Sequence, residues 1–144
     1  MTNADKIAVH RRYNDAVINQ GDLDLVDAIF TPDYVDHFSG GPDIHGPAGL
    51  KQFLGMFRRA FPDTQFTVED RIVDGDRIAV RWTMHGTHQG EFQGIPPTGN
   101  PVTVTGIAIH RFAGDQIQES WDSYDALGLL QQLGAVPASG PAAG

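Results

Sequence analysis

Asp122 is the ionisable residue most at odds with its surroundings. It lies in residues 102–124, a stretch that reads as two strands joined by a tight turn. Val102, Val104, Ile107, Ile109, Phe112 and Ile117 are the β-branched and aromatic residues that pleated strands favour, and Ala113-Gly114-Asp115-Gln116 supplies the turn. Counting outward from that turn pairs Phe112 with Ile117 and Ile107 with Asp122. Ile107, Ile109, Ser120 and Asp122 then share one face, and His110, Glu119 and Trp121 the other. The apolar partners predict that Asp122 points inward. A carboxylate removed from water is costly unless it is paired, hydrogen-bonded or facing a wet cavity. Burial also raises its pKa toward the range where a carboxyl can take and return a proton at neutral pH. The chemistry this implies is general acid/base catalysis. A register one residue away would put Trp121 inside and leave Asp122 on the surface.

The groups that would hold or polarise a substrate carbonyl beside such a carboxyl are His37, Tyr13 and Tyr34. His37 is expected in a catalytic role with Asp122. Tyr13, Tyr34, Phe53, Phe57, Trp82, His88, Ile107 and Ile109 are expected to surround a substrate. Histidines stand at positions 10, 37, 45, 85, 88 and 110, with no two at the i, i+4 spacing of a helical metal pair, so no metal site is expected. Neither a GxSxG nor a P-loop pattern occurs, and there is no cysteine, which leaves acyl-serine chemistry, nucleotide hydrolysis and thiolate chemistry without support. No cofactor is expected.

The elements that must position these residues follow from periodicity. Residues 4–20 carry Ile7, Val9, Tyr13, Val17 and Ile18 at helical spacing, and Gly21 ends the run. Asp22 is an N-cap candidate for a short second helix that offers Leu23, Val26, Ala28, Ile29 and Phe30 for burial before Thr31-Pro32 interrupts it. Residues 34–38 read as a short extended segment with His37 near its end. Pro47 opens a third helix bearing Leu50, Phe53, Leu54, Met56, Phe57 and Phe61, and Pro62 stops it. The period then changes to that of strands: residues 65–73, residues 77–88 and the hairpin described above, with Asp74-Gly75-Asp76 as a turn. Ile78, Val80, Trp82 and Met84 share one face of the strand from Arg77. Residues 86–101, dense in glycine and proline but carrying Phe92 and Ile95, predict an ordered loop over a pocket. A last helical turn or two is expected after Tyr124, and residues 137–144 read as a frayed tail. Helices followed by an antiparallel sheet give an α+β fold, in one domain over residues 1–136.

The chain has 144 residues, 40% hydrophobic and 19% charged, which suits a single domain with a sizeable core. A net charge of −8 disfavours nucleic acid and anionic membranes as partners. No run is long and apolar enough for a membrane span, and the N-terminus lacks a signal-peptide pattern, so the expected location is the cytoplasm. The half-polar sheet face carrying Arg81, Thr83, His85, His110, Glu119 and Trp121 exceeds what the helices can cover, which predicts a homodimer through that face.

The run GxHxGxFxGxPPTGxxV from Gly86 to Val102, together with Tyr34-Val-Asp-His37, Phe61-Pro-Asp63 and Trp121-Asp122-Ser-Tyr-Asp125, resembles the SnoaL-like polyketide cyclase (ester cyclase) family. The resemblance covers roughly residues 5 to 134 and implies a cone: a strongly curved antiparallel sheet wrapped around N-terminal helices with an internal pocket. It further implies cofactor-free ring closure of a polyketide-like ester by intramolecular aldol condensation, with Asp122 at the position of the family's general acid/base. That supports the inward register. Opposite this aspartate the catalytic members place polar side chains, where Ile107 and Ile109 are expected here. The same cone hosts isomerases, dehydratases, epoxide hydrolases and non-catalytic binders of small apolar or aromatic carbonyl compounds, and these stand as alternatives.

Overall fold

The computed structural model describes residues 1–137; the expected tail lies, beyond Pro137, outside the described residues. α1 (Asn3–Arg12) opens with a capping box, the Thr2 side chain accepting from the Asp5 backbone N–H and the Asp5 side chain accepting from that of Thr2. The helix does not stop at Arg12. It widens into a π-helical stretch, Tyr13–Asn19, and ends at Gly21, whose φ of +77° suits a residue without Cβ. A 3₁₀ turn (Leu23–Leu25) leads into the short α2 (Val26–Ile29). Asp22 makes no capping bond there, and Ala28 is exposed.

β1 (Phe30–Phe38) begins earlier than the sequence predicts and runs straight through Thr31 and Pro32. β2 (Ile44–His45) is a two-residue edge, α3 (Gly46–Ala60) has Pro47 in its first turn, and β3 (Gln65–Asp74), β4 (Arg77–Thr87), β5 (Pro101–Ala113) and β6 (Gln116–Tyr124) follow. α4 (Ala126–Gln132) closes the described chain, its first turn capped by the Asp125 carboxylate, which accepts from the Gly128 N–H.

The sheet order is β2-β1-β6-β5-β4-β3. All neighbours are antiparallel except β1 and β6, which run parallel, so this α+β fold has a curled mixed sheet rather than a wholly antiparallel one. One core lies between the N-terminal helices and the sheet, around Tyr13, Val17, Phe30, Tyr34, Leu50, Ile78 and Val80. A second lies under the 88–100 loop and α4, around Phe61, Met84, Phe92, Val104 and Leu129. No helix among the described residues is long and apolar enough to cross a membrane.

The expected register of the β5–β6 hairpin needs a correction. Phe112 does face Ile117, but the next pair is Arg111 with Glu119, so Gln118 is an unpaired bulge residue. That extra residue moves β6 on by one. Asp122 faces Ala108 rather than Ile107, Ser120 faces His110, and Trp121 faces Ile109. Because strand side chains alternate, Ala108 and His110 are turned inward with Ser120 and Asp122, while Ile107 (52% exposed) and Ile109 (36% exposed) lie on the outer face. His110, expected outside, is buried.

Candidate active site

A cavity of about 120 Å³ lies between the helices and the inner face of the sheet. Most of its wall is apolar, and much of that is aromatic. Phe53 and Phe57, one helical turn apart on α3, face Phe38 and Phe66, and Trp82 packs on Phe66 with ring centroids 4.8 Å apart. Trp82 lies flat across Gly106, its cross-strand partner; a Cβ at Gly106 would stand 2.2 Å from Cζ2 of the indole. The 88–100 loop brings Phe92 and Gln93 over the cavity.

Two carboxyls of the lining come from the inner face of the sheet. β1 turns Tyr34, Asp36 and Phe38 inward and His37 outward, and the parallel pairing sets Asp36 against Ser120 and Phe38 against Asp122. The two carboxyls thus occupy neighbouring positions of one face, close enough for each to shift the other's ionisation. Asp36 is 3% exposed, and its Oδ1 has no hydrogen-bond partner. Asp122 lies deep in the chain, and the surface it retains opens onto the cavity. Desolvation holds the carboxyl of Asp122 well above the usual carboxylate range, and the adjacent charge of Asp36 raises it further. Burial also raises Asp36, and the neighbouring Asp122 carboxyl opposes that rise. Two carboxyls this close cannot both ionise cheaply, which favours the pair sharing one proton.

Behind the pair, the Tyr34 hydroxyl donates to Ser120 Oγ at 2.8 Å, and Ser120 in turn meets Nδ1 of His110 at 2.6 Å. Burial pushes His110 down to about 4, so its ring is neutral. Tyr13 lies edge-on to Phe30, with a phenol held well above its ordinary pKa by burial and by the charges of Asp122 and Asp36. Among the described residues no group of three or more His, Asp or Glu side chains converges as a metal site.

Of the residues expected from sequence, the structure brings Asp122, Tyr13, Phe53, Phe57 and Trp82 together around the cavity. Tyr34 stands behind the lining, as support for Ser120. His88 is buried at the root of the loop: its Nδ1 accepts from the Thr98 backbone N–H at 3.2 Å and meets the Thr98 hydroxyl at 3.0 Å, so it pins the loop and does not touch the cavity. His37, Ile107 and Ile109 are on the outer face, which corrects their expected positions. His37 Nε2 lies 2.7 Å from Glu119 and Nδ1 3.2 Å from Asp43, an ion-pair arrangement outside the cavity. The residues missed are Asp36, His10 and His110. Asp36 was readable, since an inward Tyr34 implies an inward residue two places on. His110 was readable too, because Val102, Val104, Ala108 and Phe112 set an even-numbered inner face that includes it.

The chain matches the family model described as SnoaL-like polyketide cyclase over residues 7–133. It is 30% identical over 121 residues to the nogalonic acid methyl ester cyclase of Streptomyces nogalater, covering 83% of this chain and 90% of that protein. Among solved structures, TsrD from Streptomyces laurentii superposes with a TM-score of 0.86 at 28% identity, covering 94% of this chain and 99% of TsrD. IdmH from Streptomyces antibioticus does so with a TM-score of 0.78 at 32% identity, covering 90% of this chain and 98% of IdmH. With a family match running from α1 to the end of α4, and a relative 30% identical over most of both chains, the chain belongs to the SnoaL-like polyketide cyclase family.

Proposed function

We propose that this chain closes a ring in a polyketide-like ester by an intramolecular aldol reaction, with the Asp36–Asp122 pair as general acid/base. The observation that carries this reading is the placement of two carboxyls, Asp36 and Asp122, side by side in the wall of an otherwise mostly apolar cavity. The ionised member of the pair takes a proton from the carbon beside a substrate carbonyl. The resulting enolate carbon bonds to a second carbonyl carbon of the same molecule, and the alkoxide so formed takes a proton from the carboxyl. One proton leaves and one returns, no electrons are exchanged with an acceptor, and the reaction needs no cofactor. The aromatic walls hold the two reacting arms together, which removes much of the entropic part of the barrier. The substrate is a small aromatic carbonyl compound, and the S. nogalater relative makes nogalonic acid methyl ester the first to try.

The chain acts as one domain over residues 1–136, in the cytoplasm, as a homodimer. The dimer reading rests on a row across the outer sheet face, Ile72, Ala79, Ile109 and Trp121 on successive strands, with Ile107 beside it. His110 is not part of that face.

The test is turnover of nogalonic acid methyl ester by the native chain and by Asp122→Asn, which keeps the size and cannot carry the proton. General acid/base terms are worth about 10² to 10⁴ in rate, so turnover should fall by that order with little change in binding. A variant that unfolds more readily but turns over at the native rate per folded molecule would make Asp122 a structural residue.

A further inference from the structure

The cavity has a polar group that the carboxyl pair does not use. His10, on α1, is 3% exposed and lines the cavity, and its Nδ1 accepts a hydrogen bond from Nε of Arg71 on β3 at 2.9 Å. A guanidinium only donates, so this bond requires Nδ1 to be bare and places the ring proton on Nε2. The His10 side chain makes no other hydrogen bond among the described residues. Its ring lies 5.4 Å from that of His110 and 6.2 Å from that of Tyr13. His110 is two residues along β5 from Ala108, the cross-strand partner of Asp122, which spaces those positions by about 7 Å. His10 therefore meets the sheet two residues along β5 from the position that faces Asp122.

We propose that His10 is the oxyanion donor of this cavity: its Nε2–H binds the substrate carbonyl oxygen while the carboxyl pair removes the neighbouring proton, and Arg71 is the positioning residue behind it. The assignment rests on the acid/base reading above. His10 keeps its proton throughout; the hydrogen bond strengthens as negative charge gathers on the oxygen and relaxes when the carbon–carbon bond forms. His110 is also neutral, but only His10 has a guanidinium on its far nitrogen, which polarises the ring and makes its N–H the stronger donor. The groups facing His10 are Arg71, His110 and Tyr13. Burial first, then His110 and Arg71, disfavours a charged ring, so the donor is an imidazole rather than an imidazolium.

The test combines ¹⁵N NMR of the histidine rings with two probes, 2-naphthol binding and turnover of nogalonic acid methyl ester. His10 should be neutral with its proton on Nε2 at and above pH 6.5, and Arg71→Gln should give mixed tautomers. His10→Phe should bind 2-naphthol about tenfold more weakly and lose roughly 10² to 10³ in turnover with KM changed only a few-fold, the size of one lost oxyanion donor. His10→Gln, which keeps an N–H, should recover at least tenfold of that loss. A charged ring, a proton on Nδ1, or unchanged naphthol affinity in His10→Phe would overturn the proposal. Turnover retained by His10→Phe but lost by Asp122→Asn defeats this inference and leaves the acid/base reading standing. Turnover retained by Asp122→Asn defeats that reading, and the tautomer and the naphthol affinity then decide on His10 alone.

Discussion

Asp36 and Asp122 sit on parallel neighbouring strands, one position apart on the same inner face, where each carboxyl shifts the other's ionisation. The pairing makes each carboxyl part of the other's environment. In Asp36→Asn the charge that raises Asp122 is removed, so Asp122 should ionise at lower pH in a ¹³C titration of the side-chain carboxyls. A midpoint that stays in place would mean the two carboxyls titrate independently.

The outer-face pair responds to pH differently. His37 is raised above its ordinary value, chiefly by its hydrogen bond to Glu119, and Glu119 is lowered, chiefly by His37 and then by Arg111. The His37 contribution is fully present below the unfolded value of 6.5 and is lost as pH rises through the folded value. The Glu119 contribution is present above the unfolded value of 4.5 and is lost as pH falls through the folded one. Together they favour the folded chain most between those limits. His37→Gln should therefore lower Tm slightly near pH 5.5 and hardly at all near pH 9, while turnover per folded molecule stays native. Loss of turnover in this variant would return His37 to the reaction.

Gly106→Ala would push a methyl group against Trp82. With the added Cβ 2.2 Å from the indole, the ring has to move toward the cavity it lines. Overpacking of this kind typically costs about 1–3 kcal/mol, so Tm should fall and 2-naphthol binding should weaken. Native affinity in a folded Gly106→Ala would show that Trp82 does not shape the binding space.

Light scattering at tens of micromolar, an ordinary range for protein association, should report a dimer for the native chain and a monomer for Ile109→Glu, which sets a charge in the middle of the outer apolar row. A native monomer would remove the dimer proposal.

Much of the fold was legible because its periodicities are clean. The stop at Gly21, the opening of α3 at Pro47, the inward face Ile78, Val80, Trp82 and Met84, and the ordered loop under Phe92 all follow from side-chain type and spacing. Two devices were not legible. The bulge at Gln118 carries no sequence signature, and one inserted residue exchanged Ile107 and Ile109 for Ala108 and His110 beside Asp122. The parallel placement of β1 against β6 depends on long-range pairing, and only that placement brings Asp36 to Asp122. His37, which looked available for chemistry, is turned away because it is the odd member between two inward residues. His10 was hidden among the polar residues of α1, and its role depends on Arg71, distant in sequence and brought near only by the fold.

The account depends most on Asp122 being a carboxyl that holds its proton into the working pH range. A ¹³C titration of the side-chain carboxyls in the free chain measures this directly, with Asp122→Asn identifying the resonance. The account predicts a titration well above the ordinary value of 3.8, linked to that of Asp36. Because the folded pKa is raised, stability from this group is fully present below 3.8 and falls as pH rises through the folded value, so Asp122→Asn should flatten that decline and match or exceed the native chain in stability at neutral pH. An Asp122 that titrates at or below 3.8, with no loss of stability as it ionises, would contradict the account.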